Sequence, residues 1–381
     1  MKVIAIICEY NPFHKGHERQ INIIRDTFGH DSVILSLMSG NWVQRGEAAV
    51  CDKYARAKAA VQCGSDIVME LPFPWSSGCA EHFARASVDI LNSVGNVDYL
   101  CFGCESYELE KLTTTADRIL SDEYIDALAA LRINCPQSSD ILLRSEAYQK
   151  LYGENLADSP NDILAIEYMK ALKLTDSKIE PFPILRKGVY TATESRRLLK
   201  NKDFGALREI MPKAALDTLG DETAPNAEIF GNVLISHLRL FDGDITKYED
   251  CAGGLGERLL KCAAECRDYS EFVSLCSTKK YTDAKIRRAC LNALLGITRE
   301  NLIVSPAYTT LLALSQKGRE ALNVMNGDFI ITKPAHITKR LAENERIAVQ
   351  YALSSKAESV YALLQGKPSV DFLKKSPYIE K

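Results

Sequence analysis

Residues 3–17 of this chain read VIAIICEYNPFHKGH, and they decide its fold. The first six residues are apolar and mostly β-branched, which is typical of a strand that is buried on both faces. A polar loop follows, and an amphipathic stretch over residues 16–28 predicts a helix. A buried strand that leads through a short loop into a helix is the first half of a βαβ unit.

The same alternation continues along the first half of the chain. Strands are predicted at residues 32–38, 66–71, 97–102 and 178–185, and helical patterns separate them. Asp52 is expected to be the N-cap of a helix that runs to Cys63. This order of elements predicts an α/β fold with a parallel sheet.

The pattern changes from about residue 216 onward. Long helical patterns cover residues 226–241, 256–267, 283–295 and 343–364, and the best strand candidate is at residues 328–332. We therefore predict two domains, residues 1–213 and residues 214–381, of which the second is mainly α-helical.

The composition of the 381 residues limits the classes of function. Lys and Arg number 47 against 50 Asp and Glu, a net charge of −3, which excludes a globally basic protein but not a local basic patch. We expect no membrane span, because no apolar run reaches about 18 residues. The first apolar run meets Glu9 without a cleavage site, and the 12 cysteines are scattered. We therefore expect a cytoplasmic protein with reduced, mostly buried thiols.

An H-x-G-H motif, formed by His14, Gly16 and His17, stands at the junction of the first strand and the first helix. The amino end of a helix favours an anion, because its N–H groups are unpaired and its dipole end is positive. The two histidines are three residues apart, so their imidazoles can face one ligand. Such donors can hold phosphate oxygens during an in-line attack on an α-phosphate. The motif therefore predicts a phosphate site with His14 and His17 as catalytic residues.

Metal binding is an alternative interpretation of the same residues. A metal pair at His14 and His17 lacks a full set of ligands nearby in the sequence. The pair Cys101 and Cys104 has no second C-x-x-C partner, so buried strand-end thiols are expected there. We predict no metal site built by the protein alone. The H-x-G-H motif instead resembles the signature of the nucleotidyltransferase superfamily, which includes the class I aminoacyl-tRNA synthetases and implies a Rossmann-like domain.

Further segments narrow this resemblance. They are residues 38–47 (MSGNWVQRGE), 70–73 (ELPF), 101–103 (CFG), 159–168 (SPNDILAIEY), 254–258 (GLGER) and 279–288 (KKYTDAKIRR). Together they make the chain similar to the bacterial tRNA(Met) cytidine acetate ligases, from residue 1 to about residue 295. The resemblance implies that ATP and acetate form acetyl-adenylate, and that the acetyl group passes to N4 of the wobble cytidine of elongator tRNA(Met). Mg²⁺ is expected to neutralise the pyrophosphate.

The resemblance also carries the ATP contacts of the family onto this chain. They are Ile7, Cys8, Glu9, Tyr10, Asn11, Pro12, Phe13, His14, Lys15, Gly16, His17, Glu18, Arg19 and Gln20, followed by Gly103, Asn161 and Arg186. The residue types suit these roles. Gly103 ends a predicted strand beside the crevice where open α/β sheets bind ligands. Asn161 offers a donor and an acceptor, and Arg186 offers a planar fork for phosphate.

A second phosphate element is predicted at Thr193 and Arg196. A hydroxyl at a helix start, with an arginine one turn later, can hold the β- and γ-phosphates that leave as pyrophosphate. The alternative is an ordinary helix start, in which Thr193 is the N-cap and Arg196 is solvated. The segment before it, residues 187–190, is shorter than is usual in the family.

A local basic patch is predicted to bind RNA through Lys279, Lys280, Lys285, Arg287 and Arg288. Lys285 and Arg288 fall on one helical face, which is typical of a stripe that follows a phosphate backbone. A solvated helix face would carry the same charges. Nearer the N-terminus, Arg45 and Glu47 either border the acetate pocket or pair with each other.

Three functions remain open on the sequence. The first is an acetate ligase that acts on tRNA, the second an adenylyltransferase for a small-molecule acceptor, and the third an RNA-binding protein with a vestigial nucleotide pocket. The helical second half argues against the second function, and the intact H-x-G-H motif argues against the third. The oligomeric state, the walls of the acetate pocket and the basis of tRNA selectivity are not predicted.

Overall fold

The computed structural model describes residues 1–105, 108–186, 191–220, 223–370 and 375–380, so the short segment 187–190 lies outside the described residues. Its strands are β1 (Val3–Cys8), β2 (Val33–Ser39), β3 (Trp42–Val43), β4 (Glu47–Ala48), β5 (Ile67–Leu71), β6 (Tyr99–Cys104), β7 (Glu180–Leu185), β8 (Thr309–Leu314), β9 (Ile330–Ile331) and β10 (Tyr378–Ile379).

The helices of the first half include those that connect the strands of the sheet. They are α1 (Lys15–Phe28), α2 (Lys53–Gln62), α3 (Ala80–Val94), α4 (Leu109–Leu120), α5 (Asp122–Asn134), α6 (Asp140–Tyr152), α7 (Pro160–Leu174), α8 (Ala192–Lys200) and α9 (Phe204–Ile210). The side chain of Asp52 accepts a hydrogen bond from the Tyr54 N–H at 2.9 Å, which confirms the predicted cap of α2.

The second half is dominated by helices, as predicted. They are α10 (Lys213–Gly220), α11 (Ala227–Arg239), α12 (Leu255–Glu265), α13 (Tyr269–Cys276), α14 (Asp283–Leu295), α15 (Arg299–Ile303), α16 (Gln316–Leu322), α17 (Pro334–Arg340) and α18 (Glu345–Leu364). Of the described helices, none is both long and apolar enough to cross a membrane.

The central sheet has the strand order β10-β8-β5-β2-β1-β6-β7, with β9 paired to β8. The strands β5, β2, β1, β6 and β7 are parallel, in the register that pairs Val3 with Val33 and Tyr99 with Glu180. This confirms the predicted α/β fold with a mostly parallel sheet. It also brings the carboxyl ends of these five strands to one edge, where parallel sheets bind their ligands.

The strand β8 was missed by sequence reasoning. It pairs with β5 in the antiparallel direction, and β9 and β10 join β8 in parallel. The sheet therefore contains strands from both sides of residue 213. The predicted boundary marks the point after which helices dominate, but it does not separate the strands of the sheet. The predicted strand at residues 328–332 is confirmed in its shorter form, β9.

Helices cover both faces of the sheet and bury two apolar cores. On one face Ile24 of α1 and Ala60 of α2 pack with Ile4 and Ile34. On the other face Leu91 of α3 and residues of α7 pack with β2 and β5, and this core continues into α11, α12, α14 and α18. Burial on both faces explains why β1 and β2 are continuously apolar.

Candidate active site

His14 is the N-cap of α1, and its side chain takes part in the cap. Its Nδ1 accepts a hydrogen bond from the Gly16 N–H at 3.0 Å, and its own backbone N–H donates to Nδ1 of His17 at 3.2 Å. The two histidines thus form a capping box, a role that Ser and Glu usually fill. Because each Nδ1 accepts a hydrogen bond, the network assigns the ring proton to Nε2 in both residues.

The two imidazoles are neutral donors at pH 7. Their rings stack with centroids 3.8 Å apart. Burial lowers the pKa of His14 to about 4, and the charges of Arg186 and Arg196 act in the same direction. Burial also lowers the pKa of His17 well below its usual value, with further contributions from His14 and Arg186. Each ring can therefore donate its Nε2–H to an anion without being charged beforehand.

The loop before His14 is held by buried side chains. Tyr10 and Phe13 are 1% and 2% exposed and pack their rings against His17, with centroids 5.0 and 5.4 Å away. The Tyr10 hydroxyl also bonds Ser36 Oγ at 2.9 Å. The rings of Tyr10 and Phe13 therefore hold this loop in place from inside the protein.

Arg56 stabilises the same edge of the sheet through hydrogen bonds, and this role was not predicted from the sequence. Its guanidinium is buried and donates to the backbone carbonyls of Glu9, Ser39, Gly40 and Cys51 at 2.5–3.1 Å. Glu9 and Ser39 lie at the ends of β1 and β2, so Arg56 joins the two strand ends. Its only signal in the sequence is its place in the first turn of α2.

Gly103, Asn161 and Arg186 come together at the ends of β6 and β7. The Arg186 N–H donates to the Cys104 carbonyl at 2.9 Å, and a Cβ on Gly103 would lie 4.0 Å from the Cβ of Arg186. Asn161 is in the first turn of α7, and its amide donates to Oε1 of Glu105 at 2.5 Å. One donor of Asn161 is therefore engaged. Sequence reasoning missed Glu105, although it directly follows β6 at the ligand-binding edge.

The second phosphate element starts differently from the expectation. The N-cap of α8 is Thr191, whose side chain accepts from the Glu194 N–H at 3.1 Å, so the interpretation of Thr193 as the cap is wrong. Arg196 is not simply solvated either. Its Nη1 donates to the Asn11 carbonyl at 3.0 Å and its Nη2 to Thr193 Oγ1 at 3.3 Å. Arg196 thus links α8 to the loop that precedes His14.

The basic patch contains one exposed lysine, two partly buried lysines and two arginines that carry ion pairs. Lys279 is exposed, and Lys280 and Lys285 lie near the Tyr281 ring, 5.3 and 6.0 Å from its centroid. The two arginines carry ion pairs: Arg287 pairs with Glu47 at 3.1 Å, and Arg288 pairs with Asp250 at 2.8 Å. Arg288 is only 13% exposed, so it lies beneath the stripe. Glu47 therefore pairs with Arg287 and not with Arg45.

The cysteines at the end of β6 are buried. Burial raises the pKa of Cys101 to about 12, and Cys104 is also buried. Within the described ranges, no group of three or more His, Cys, Asp or Glu side chains could hold a metal ion.

A parallel sheet with a neutral histidine pair at its first strand–helix junction defines a nucleotidyltransferase of the H-x-G-H class. The family model HIGH Nucleotidyl Transferase matches residues 1–375. A tRNA(Met) cytidine acetate ligase of Thermoanaerobacter sp. is 32% identical over an alignment that is 395 residues long. The alignment covers 95% of this chain and 98% of the relative. Another of that name, from Acetivibrio thermocellus, is 31% identical over 355 residues, 85% of each chain. The chain belongs to the tRNA(Met) cytidine acetate ligase family.

The solved structures agree with this family. The crystal structure of Thermotoga maritima TmcAL bound with alpha-thio ATP matches with a TM-score of 0.91 and 29% sequence identity. The match covers 100% of this chain and 99% of that one. The apo form of the same protein matches with a TM-score of 0.90. The family and the fold expected from the sequence are therefore confirmed.

Proposed function

We propose that this protein is an ATP-dependent ligase that acetylates N4 of the wobble cytidine of elongator tRNA(Met) in the cytoplasm. The observation that carries the proposal is the neutral pair His14 and His17 at the amino end of α1. Relatives along most of the chain are named for this reaction, and the Thermotoga maritima protein was solved with an ATP analogue.

In the first step ATP lies across the ends of β1, β6 and β7, with its adenine near Gly16 and Gly103. An acetate oxygen attacks the α-phosphorus in line, the bond to the β-phosphate oxygen breaks, and pyrophosphate leaves. Acetate is already ionised at pH 7, so no base is needed. His14 and His17 donate their Nε2–H groups to the α-phosphate oxygens as negative charge builds there.

The leaving pyrophosphate is bound by the second phosphate element. Arg196, Thr193 and the exposed Arg186 supply donors on the side of α8 and β7. Mg²⁺ fits this site if the phosphates and water supply most of its ligands, because such sites use only one or two carboxylates. Glu105 is the exposed carboxylate beside Asn161 that would complete the set, and the ion would neutralise the pyrophosphate charge.

In the second step the N4 amine of the cytidine attacks the acyl carbon. The bond between that carbon and the adenylate oxygen breaks, AMP leaves, and the amine loses a proton to water. The wobble base has to be unstacked to react, which is easiest in a single-stranded loop. Lys279, Lys280, Lys285 and Arg287 would contact the RNA backbone, while Arg288 supports this surface through Asp250.

One assay separates the three functions that the sequence left open. The purified protein is incubated with ATP, labelled acetate and an elongator tRNA(Met) transcript, with the H14N/H17N double variant as control. Label in the tRNA supports the ligase. Transfer of AMP to another acceptor without RNA would instead show an adenylyltransferase for small molecules. Binding of tRNA without any turnover would show an RNA-binding protein.

A further inference from the structure

A cavity of about 330 Å³ opens at the edge of the sheet near β5 and β8, and nothing in the proposed reaction uses it. Its lining includes Lys53 and Tyr54 at the start of α2, Glu70 at the end of β5, and Tyr351 and Glu358 on α18. The volume is in the range of sites for small molecules. The cavity lies on the opposite side of β1 from Gly103 and Arg186, because β5 follows β2 in the sheet.

The inner wall of the cavity carries more acid than base. Lys53 Nζ lies 2.7 Å from Glu70 Oε1 and 3.0 Å from Glu358 Oε1, and all three side chains are at most 12% exposed. Burial raises the pKa of Glu358, which is opposed by the charge of Lys53. A wall with two carboxyl groups and one ammonium disfavours acetate and phosphate, and it suits a ligand that presents N–H donors.

Aromatic rings and an outer cation complete the cavity. Tyr54, Tyr308 and Tyr351 are among its lining residues. Lys375 pairs with Asp52 at 3.1 Å, whereas Lys333 is exposed. Rings, buried acceptors and an exposed lysine are the three groups that single-stranded RNA needs for its base faces, base edges and phosphates.

We propose that this cavity receives an unstacked, amino-bearing nucleobase of the RNA substrate, with cytosine as the preferred base. A carboxylate such as that of Glu70 accepts the exocyclic N4–H of cytosine, and the tyrosine rings contact its face. Uracil presents an oxygen acceptor at the same place and is repelled. Lys333 contacts the adjacent phosphate. This inference rests on the proposed function, since it takes the substrate to be RNA.

One hydrogen-bonded segment joins the cavity to the histidine loop. The Asn41 side-chain amide donates to Glu358 Oε2 at 2.8 Å, and its oxygen accepts from the Lys53 N–H at 2.7 Å. Nine residues later, the Val50 N–H donates to Asn11 Oδ1 at 2.8 Å. A base in the cavity would therefore be bound one loop away from the ATP site.

Filling the cavity tests the inference. Ser355 lines the cavity, and the replacement S355F occupies its space without removing a charge. Ala352 is exposed on the same helix and outside the lining, so A352F is the matched control. We expect S355F to slow tRNA acetylation by about 5- to 150-fold, the loss of one stacked base. Acetate-dependent exchange of pyrophosphate into ATP, measured without RNA, stays at the wild-type rate in both variants.

The exchange rate and the tRNA acetylation rate together distinguish a failure of the proposed function from a failure of this inference. If the wild-type protein shows no acetate-dependent exchange, the proposed function fails. If exchange is normal and S355F acetylates tRNA as fast as A352F, the cavity does not receive a base. Loss of exchange in S355F alone would also overturn the inference, because the cavity would then serve the first step.

A binding measurement tests the preferred base directly. We expect the wild-type protein to bind a short oligocytidylate more tightly than an oligouridylate of equal length, and S355F to lose this difference. Equal affinity of the wild-type protein for the two oligonucleotides would contradict the assignment of cytosine.

Discussion

Two places along one edge of the sheet treat buried polar groups in opposite ways. At the end of β1, His14 is buried and His17 is partly buried, both as neutral rings, and the charges around them belong to Arg186 and Arg196. At the end of β5, Lys53 is buried between the carboxyl groups of Glu70 and Glu358. The first place suits an anionic ligand, because the neutral imidazoles can keep their Nε2–H groups available for that ligand. The second suits a ligand that donates hydrogen bonds, and it depends on its internal ion pairs.

The largest effect is expected from a substitution that breaks the ion pairs at the end of β5. The substitution K53M leaves Glu70 and Glu358 buried without their cation, and we expect it to lower the free energy of unfolding by about 3–5 kcal/mol. Urea unfolding measures the change. The exposed control K356M on α18 should shift the value by less than about 0.5 kcal/mol. A loss in K53M no greater than in this control would show that the cluster does not behave as buried ion pairs.

The next largest effect is expected from a substitution of His14 that removes its Nε2–H donor but keeps the N-cap of α1. In H14N the asparagine oxygen can still accept the Gly16 N–H, since Asn is among the best N-cap residues. The Nε2–H donor is lost, so we expect kcat for acetate-dependent pyrophosphate exchange to fall about 10²- to 10³-fold. The free energy of unfolding should barely change. The exposed His30 provides the control H30N, and equal exchange rates in H14N and H30N would exclude a catalytic role for His14.

The neutral state of His14 also predicts a pH dependence of stability. Its pKa is about 4 in the folded protein and about 6.5 when unfolded, so between these values the unfolded chain takes up a proton that the folded one does not. Stability is therefore lost as the pH falls. From pH 7 to pH 5 the wild type should lose about 2 kcal/mol more than H14N, measured by urea unfolding. The H30N variant should follow the wild type, and parallel pH profiles of wild type and H14N would refute the buried neutral ring.

The smallest effect concerns the basic stripe on the second half. Lys279 is exposed and Lys280 and Lys285 are partly exposed, so each Lys→Ala change should lower the salt dependence of tRNA affinity by about one phosphate contact. Filter binding at several salt concentrations measures the slope. Arg288 is the internal comparison. Its loss should lower thermal stability through Asp250, and a salt slope that responds only to Arg288 would reverse the assignment of the stripe.

The local sequence pattern predicted much of the parallel sheet. It did not predict the strand β8, because β8 is defined by a contact with a residue range far away in the sequence. The apolar run of β1 and the helix after it could be predicted, because both rest on periodicity within a few residues. The run TTLLAL of β8 stands among helices, and its partner β5 lies far back along the chain. Nothing near Thr309 marks that pairing.

The site shows the same limit. His14 and His17 were predicted from their spacing, yet their capping box uses imidazole nitrogens, which no Ser-x-x-Glu pattern reveals. Glu105 had a usable signal, since it directly follows a strand at the ligand-binding edge. The contact of Lys53 with Glu358 had none, because the two residues meet only when α18 has folded over the end of β5.

The antiparallel pairing of β8 with β5 also has a consequence during synthesis. All five residues of β5 are buried, and β5 ends at Leu71, whereas β8 begins at Thr309. At 5–20 residues per second, the ribosome needs about 12 to 48 s to deliver the second strand after the first. For that time the nascent chain carries an open apolar strand edge, which invites pairing with another chain. A truncated product that ends before β8 keeps that edge permanently, so we expect it to aggregate.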